Sequence, residues 1–150
     1  MKQRDLLDKA GPVRAAYVIT ANIDGGARGN PGPAAYGVVV RNTKGQVLAE
    51  LREYLGSQTN NVAEYSGLLA ALDWAVRQKQ LSLRVLSDSE LLVRQMRGQY
   101  KAKNPDLKLL FDRAQALVRK LQQFSIEHVR RESNREADRL VNEVLDSRLR

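Results

Sequence analysis

The chain of 150 residues contains no cysteine and a single histidine, His128. The lack of cysteine excludes disulfide bonds, zinc and iron–sulfur sites with thiolate ligands, and a thiol nucleophile. A single histidine excludes a metal centre built from several imidazole ligands. Any bound metal ion is therefore expected to be a hard cation held by carboxylate oxygens, which favours magnesium or manganese over zinc or copper.

The chain also lacks a long apolar run. No stretch of the sequence approaches the roughly 20 apolar residues that span a bilayer, so membrane binding is disfavoured. The first residues, MKQRDLLDKAGP, carry charges where a signal peptide needs an apolar segment, and we expect no export signal. Since a chain without cysteine fits a reducing compartment, these features favour a cytoplasmic location.

Basic residues are more numerous than acidic ones, 25 against 17, so the formal net charge is +8. Such an excess favours a polyanionic partner, and nucleic acid is the first candidate. A basic surface without a specific partner is the alternative that charge alone leaves open. The length suits one compact domain, which we place at residues 15–150 after a loose leader at residues 1–14.

The periodicity of apolar residues predicts the element order β-β-β-α-β-α-α-β-α. The predicted strands are residues 15–23, 35–41, 47–55, 83–86 and 124–129. The predicted helices are residues 62–77, about 89–97, 105 to about 123, and about 134–149, with N-terminal capping signals at Asn61, Ser87, Asn104 and Ser133. Short turns make the first three strands antiparallel, and the later β-α-β order implies parallel pairing. The fold class is therefore α/β, with a five-stranded mixed sheet flanked by helices.

A glycine-rich segment, residues 25–33 (GGARGNPGP), is predicted to be a loop. It is not a nucleotide-binding P-loop, because it lacks the Gly-Lys-Ser/Thr ending of that motif. Two interpretations stay open. The glycines allow the backbone and Arg28 to approach a nucleic acid closely, or the segment is a simple hairpin turn.

Four acidic residues lie at the ends of predicted elements: Asp24 ends the first strand, Glu64 lies in the first turn of the first helix, Asp88 follows the fourth strand, and Asp138 lies in the first turn of the last helix. Helix N-termini favour acidic residues, which accounts for the last three individually but not for Asp24. In open α/β sheets, active sites form where strand ends and helix starts converge. Clustered carboxylates repel one another unless cations neutralise them, and two magnesium ions about 3.5–4 Å apart support in-line phosphodiester displacement.

Four segments resemble the motifs of the type 1 ribonuclease H family, in the order and with the spacing of that family. They are residues 23–32 (IDGGARGNPG), 59–64 (TNNVAE), 86–89 (LSDS) and 134–140 (NREADRL). The resemblance covers the chain from about Tyr17 to Leu145 and implies a ribonuclease H-like fold. It also implies an endonuclease that cleaves the RNA strand of an RNA/DNA hybrid and leaves 5′-phosphate and 3′-hydroxyl ends.

The resemblance further implies catalytic and metal-binding roles for Asp24, Glu64, Asp88 and Asp138. Asp24 would bridge two Mg²⁺ ions, with Asp138 on the side that activates water and Glu64 and Asp88 on the other; Mn²⁺ is expected to substitute. The residues implied in substrate binding are Asn60 and Asn61 at the RNA 2′-hydroxyls, and Asn30 and Thr59 at a DNA-strand phosphate, with Arg28 beside them. Helix capping is the alternative role of Asn60 and Asn61.

The chain departs from the family before the last aspartate, where many members carry a histidine in a mobile loop. His128 alternates with Phe124 and Ile126 and is interpreted as a strand residue, so turnover would depend on Arg130 or Arg131, or on no equivalent group. Trp74 is predicted to be a core residue. A group of basic residues lies at the junction of the second and third predicted helices: Arg94, Arg97, Lys101, Lys103 and Lys108. This group either binds phosphate groups of a nucleic acid or is simply exposed to solvent.

The resemblance makes an RNA/DNA hybrid the expected partner, and we expect a monomer with no obligate protein partner and no membrane contact. Two alternatives remain at this point. The first is a non-catalytic module that binds hybrids or double-stranded RNA on the same scaffold, and the second is a related metal-dependent nuclease that acts on DNA.

Overall fold

The computed structural model describes residues 17–148, which form a five-stranded sheet flanked by helices. The strands are β1 (Ile19–Ala27), β2 (Gly32–Asn42), β3 (Val47–Gln58), β4 (Ser82–Ser87) and β5 (Gln123–His128). The helices are α1 (Asn60–Arg77), α2 (Glu90–Met96), α3 (Pro105–Val118) and α4 (Arg135–Arg148), and a 3₁₀ turn at Arg131–Ser133 precedes α4. This order confirms the predicted one, whereas the proposed leader, residues 1–14, lies outside the described residues.

The strands are arranged in the spatial order β3-β2-β1-β4-β5. β1 pairs antiparallel with β2, and β2 antiparallel with β3, while the β1–β4 and β4–β5 pairs are parallel. The predicted mixed sheet is therefore confirmed. In the parallel register, Ile23 lies opposite Ser87, and Ser87 lies opposite His128. The residues that follow these three positions consequently come together at one edge of the central strands.

The two faces of the sheet bury different amounts of apolar surface. On one face, alternate residues of β1 such as Ile19 and Ile23 pack with Leu68 and Leu72 of α1 in the main core. Trp74 is half-buried and packs against this core, as predicted. On the other face, α4 contributes a smaller cluster of Ala35, Val141 and Leu145, with Tyr54 and Val144 against it.

The helix starts differ from the predicted ones at three of four places. Thr59, not Asn61, caps α1, because its Oγ1 accepts from the Val62 N–H at 3.2 Å. Ser89, not Ser87, caps α2, and α4 begins at Arg135 after Asn134. Only the predicted cap Asn104 of α3 is confirmed. Each error is a shift of one or two residues, because several polar residues near each start suit the same role and the tertiary structure selects among them.

Several predicted segment ends are also wrong. The first strand begins at Ile19 rather than at residue 15. α3 ends at Val118 rather than near Gln123, because the N–H groups of Gln122 and Gln123 donate to the Leu81 carbonyl and begin the approach to β5. The glycine-rich segment is not a nine-residue loop, since β1 continues to Ala27 and β2 starts at Gly32. Its backbone is therefore a hairpin turn of residues 28–31.

Gly25 lies inside β1 because α1 passes directly over it. A Cβ atom at this position would lie 2.2 Å from the Ala63 carbonyl carbon and 2.5 Å from the Glu64 nitrogen. At the adjacent Gly26, the nearest atom to such a Cβ is a methyl group of Val141 at 3.8 Å, an ordinary contact. The glycine at position 25 thus permits the close approach of helix and strand that sets Glu64 beside Asp24.

We expect Gly25→Ala to lower the free energy of unfolding by about 3 kcal/mol, because backbone atoms on both sides must separate to admit the methyl group. Gly26→Ala is the matched control and should change it by less than about 1 kcal/mol, since a strand residue tolerates alanine. Urea unfolding of both variants checks this prediction. Equal unfolding midpoints for the two variants would contradict the close-approach explanation.

Among the helices of residues 17–148, none has both the length and the apolar character needed to cross a membrane.

Candidate active site

The four acidic residues singled out in the sequence lie on four different elements. Asp88 lies between β4 and α2, and Asp138 in the first turn of α4, as predicted. Asp24 lies within β1, three residues before its end, so its placement at a strand end is wrong. Glu64 lies in the second turn of α1, not the first, because the helix already begins at Asn60.

These side chains converge on one cavity of about 670 Å³. Asp24, Glu64 and Asp88 each offer a carboxylate oxygen, and the three oxygens lie within 4.8 Å of one another. Asp138 lines the same cavity, and its proximity to Asp24 contributes to the raised pKa of Asp24. The structure therefore brings all four acids together, and the parallel register of β1 and β4 is the reason that Asp24 and Asp88 meet.

The acids are held where ionisation is unfavourable. Burial raises the pKa of Asp24 from 3.8 to about 8, and the charges of Asp88 and Asp138 add to this shift. Burial also raises the pKa of Glu64 well above its usual value, with Asp24 and Asp88 contributing. Burial raises the pKa of Asp88 as well, although the nearby Arg131 guanidinium acts in the opposite direction. Without a cation, the cluster is expected to hold protons near neutral pH.

A hard divalent cation fits this arrangement. The donor atoms are carboxylate oxygens, which magnesium and manganese prefer, and the described residues place no cysteine or second histidine beside them. Glu64 Oε1 is buried and has no hydrogen-bond partner among residues 17–148. A buried polar atom without a partner is costly, and coordination to a cation would satisfy it.

The amides implied in substrate binding join the β1–β2 turn to the start of α1. Asn60 Oδ1 accepts from the Ala27 N–H at 2.8 Å, and Asn30 Oδ1 accepts from the Asn60 N–H at 3.0 Å. The capping role considered for Asn60 and Asn61 is wrong, because Thr59 is the cap. Asn61 is exposed at the start of α1.

Arg28 lies at the rim of the cavity, where α4 passes. Its guanidinium pairs with Asp146 at 2.7 Å and donates to Asn142 Oδ1 at 3.2 Å. Asn142 also lines the cavity and was not singled out in the sequence. The only sequence signal that could have indicated it is its position four residues after Asp138, one helical turn away.

His128 is the last residue of β5, which confirms its interpretation as a strand residue. It is exposed and lines the cavity together with Arg130 and Arg131. The charges of Arg131 and His128 both act to lower the pKa of Asp88, against the larger effect of burial. The dependence of turnover on Arg130 or Arg131, or on no equivalent group, stays a prediction.

Asn134 fixes the start of α4 to β1, a second position whose role the sequence did not indicate. Its side chain is 1% exposed, donates to the Ile23 carbonyl at 2.8 Å and accepts from Asn22 Nδ2 at 3.0 Å. Glu136, three residues after the predicted cap Ser133, pairs with Arg41 of β2. These contacts set the position of Asp138 relative to Asp24.

The basic group at the α2–α3 junction is partly engaged within the protein. Arg94 pairs with Glu90 at 2.9 Å and lies over the Tyr100 ring, while Arg97 donates to the Ile126 carbonyl at 3.0 Å. Exposed pairs of this kind are weak and could give way to a phosphate. Phosphate contact by this group therefore stays a prediction.

Comparison with known proteins identifies the family. A family described as Reverse transcriptase-like matches residues 22–144. Ribonuclease HI of Halobacterium salinarum is 40% identical over 139 residues, which cover 93% of this chain and 67% of that protein. The chain belongs to the type 1 ribonuclease H family. The resemblance of the four sequence motifs is thereby confirmed.

Other members of the family are similar in sequence and structure. The bifunctional protein Rv2228c of Mycobacterium tuberculosis is 48% identical over 130 residues, and the match covers 86% of this chain but 36% of that protein. The chain thus spans about a third of the length of this relative. The solved ribonuclease H domain of Rv2228c has a TM-score of 0.84 with 47% identity, and covers 88% of this chain and 96% of that one.

A ribonuclease H1 isolated from compost, LC11-RNase H1, has been solved in complex with an RNA/DNA hybrid. That structure has a TM-score of 0.82 and 44% sequence identity, and the match covers 88% of this chain and 99% of that one. The predicted ribonuclease H fold is confirmed by these similarities.

Proposed function

We propose that this chain is an endonuclease that hydrolyses the RNA strand of RNA/DNA hybrids and leaves 5′-phosphate and 3′-hydroxyl ends. The observation that carries the proposal is the group of carboxylate oxygens of Asp24, Glu64 and Asp88, which lie within 4.8 Å of one another. A surface that only binds a polyanion gains nothing from clustered negative charges beside phosphates. Family membership and the hybrid complex of LC11-RNase H1 support the same substrate.

Asp24, Glu64, Asp88 and Asp138 are the residues proposed to hold two Mg²⁺ ions, for which Mn²⁺ would substitute. Bound ions would activate a water molecule and stabilise the leaving oxygen of an in-line displacement. The chain itself supplies the rigid placement of the ligands. Asp24 is 7% exposed in a central strand, and Gly25 and Asn134 hold α1 and α4 against that strand.

The substrate is proposed to be read by its sugars and its shape rather than by its bases, because a wide minor groove displays the RNA 2′-hydroxyls. Asn60 and Asn61 are assigned to these hydroxyls, since an amide both donates and accepts. Asn30 and Thr59 are assigned to a phosphate of the DNA strand. The hydrogen bonds that link Asn30, Asn60 and Ala27 hold these groups in place before a substrate arrives.

Arg28 is proposed to lie beside this substrate surface, at the rim of the cavity. We further propose a monomer without an obligate protein partner, and a cytoplasmic location that fits the lack of cysteine.

The deciding experiment compares end-labelled RNA/DNA hybrid, duplex DNA and duplex RNA in Mg²⁺. We expect cleavage of the RNA strand of the hybrid alone, with 5′-phosphate products, and complete loss of cleavage after chelation by EDTA. Comparable cleavage of duplex DNA would favour the DNA-nuclease alternative. Tight binding of the hybrid without cleavage in either Mg²⁺ or Mn²⁺ would favour the non-catalytic binding module.

A further inference from the structure

One side of α4 carries a row of three polar residues, of which the proposed mechanism uses only the first, Asp138. Asp138, Asn142 and Asp146 follow one another at intervals of four residues, so they lie along the same side of the helix. Arg28, from the turn between β1 and β2, contacts two members of this row, Asn142 and Asp146. The row therefore links the rim of the cavity to one of the proposed metal ligands.

The hydrogen bonds in this row have a defined direction. Arg28 Nη2 donates to Asn142 Oδ1 at 3.2 Å, and the same nitrogen pairs with Asp146 Oδ1 at 2.7 Å. Asn142 Nδ2 donates to Asp138 Oδ2 at 3.3 Å and to the Asp138 carbonyl oxygen at 3.2 Å. Because Arg28 is only a donor, it requires the oxygen of the Asn142 amide, and the NH₂ group is thereby turned towards Asp138.

Asp138 needs such a partner because it stands beside other acids. It lines the same cavity as Asp24 and Asp88, and its charge raises the pKa of both. A hydrogen bond from an N–H donor to one carboxylate oxygen restricts the rotation of that carboxylate. The amide of Asn142 thus engages Oδ2 of Asp138 and makes no use of Oδ1.

We propose that Asn142 is a positioning residue for Asp138, and that Arg28 acts through Asn142 by fixing the orientation of its amide. The inference rests on the proposed function for the statement that Asp138 is a metal ligand. It assigns to Asn142 a role in catalysis without contact with the substrate. It also gives Arg28 a role inside the protein, in addition to any contact with nucleic acid.

The first test replaces Asn142 with leucine, which has a similar size and no hydrogen-bonding group. We expect kcat on the RNA/DNA hybrid to fall about tenfold, as for other residues that orient a metal ligand, while KM changes by less than about twofold. The dissociation constant for Mn²⁺, measured by calorimetry on the substrate-free protein, should rise by about the same factor. The melting temperature should shift by no more than about 3 °C, since the side chain is exposed.

Two control variants sharpen this test. Asn142→Gln retains an amide that reaches a residue one turn away and should recover most of the kcat and Mn²⁺ affinity. Ser147→Ala, on the same helix but outside the row, should leave both quantities unchanged. Wild-type kcat and Mn²⁺ affinity in Asn142→Leu would overturn the proposal, as would an Asn142→Gln variant that is as impaired as Asn142→Leu.

The role of Arg28 is tested by a double-mutant cycle with Arg28→Met. If Arg28 acts through Asn142, the double variant should have the same kcat and Mn²⁺ affinity as Asn142→Leu alone. Independent, multiplying effects of the two substitutions on kcat and on Mn²⁺ affinity would overturn this part of the proposal. The Mn²⁺ measurement needs no substrate, so weaker Mn²⁺ binding by Asn142→Leu would uphold the inference even if the wild-type protein cleaved no hybrid.

Discussion

Asp88→Asn is expected to reduce cleavage of an RNA/DNA hybrid by at least about a thousandfold, because the amide removes a charged metal ligand from the group of carboxylates. The affinity for the hybrid should stay within about threefold of the wild-type value, since the change adds no repulsion towards phosphates. Single-turnover cleavage in Mg²⁺ and fluorescence anisotropy of labelled hybrid in metal-free buffer measure the two quantities separately.

Asp112→Asn is the matched control for this prediction. Asp112 is an exposed acid on α3 that pairs with Lys108 at 2.7 Å, and it does not line the cavity. The same loss of one negative charge there should leave cleavage unchanged. Full cleavage by Asp88→Asn would remove Asp88 from the proposed metal site. A parallel loss of cleavage and hybrid binding would instead indicate a substrate-binding role.

The second large effect is a dependence of stability on pH in the absence of divalent ions. The pKa of Asp24 is about 8 in the folded protein against 3.8 for the free side chain, so the folded state holds a proton that the unfolded chain releases. The free energy of unfolding should therefore decrease as pH rises from about 4 to about 8, by at most about 5 kcal/mol from this group. The raised pKa values of Glu64 and Asp88 act in the same direction.

Asp24→Asn isolates this contribution, because the amide is uncharged at every pH in this range. Without metal, the stability advantage of the variant over the wild-type protein should be larger at pH 8 than at pH 5, while hybrid cleavage is lost. Mg²⁺ should raise the melting temperature of the wild-type protein at pH 8 and that of the variant much less.

Urea unfolding of both proteins at pH 5 and pH 8, with and without Mg²⁺, measures all four conditions. The difference between the two proteins is the informative quantity, since acids with lowered pKa values elsewhere, such as Glu127, contribute the opposite slope. If the free energy of unfolding depended on pH in the same way in both proteins, the raised pKa of Asp24 would be contradicted.

The local pattern of the sequence was sufficient to predict the element order and the mixed sheet. Strand and helix periodicity depends on residues within a few positions of one another, and β5 and α1 were recognisable from such short windows. The type of metal ligand could also be predicted from the sequence, because the absence of cysteine and the single histidine leave carboxylates as the expected ligands. Asp24 could be recognised as a candidate because the preference of acidic residues for helix N-termini does not account for an acid in or beside a strand.

The sequence by itself thus determined which side chains are available and which elements carry them. Only the tertiary structure decided where the elements begin and what their polar side chains do. Gly25 belongs to the segment predicted as a loop, yet it lies inside β1 with Ala63 directly against it. Asn134 follows the predicted cap Ser133, yet its side chain bonds to Ile23, 111 positions away. Composition cannot reveal such contacts, because their energies depend on packing between residues that are distant in the chain.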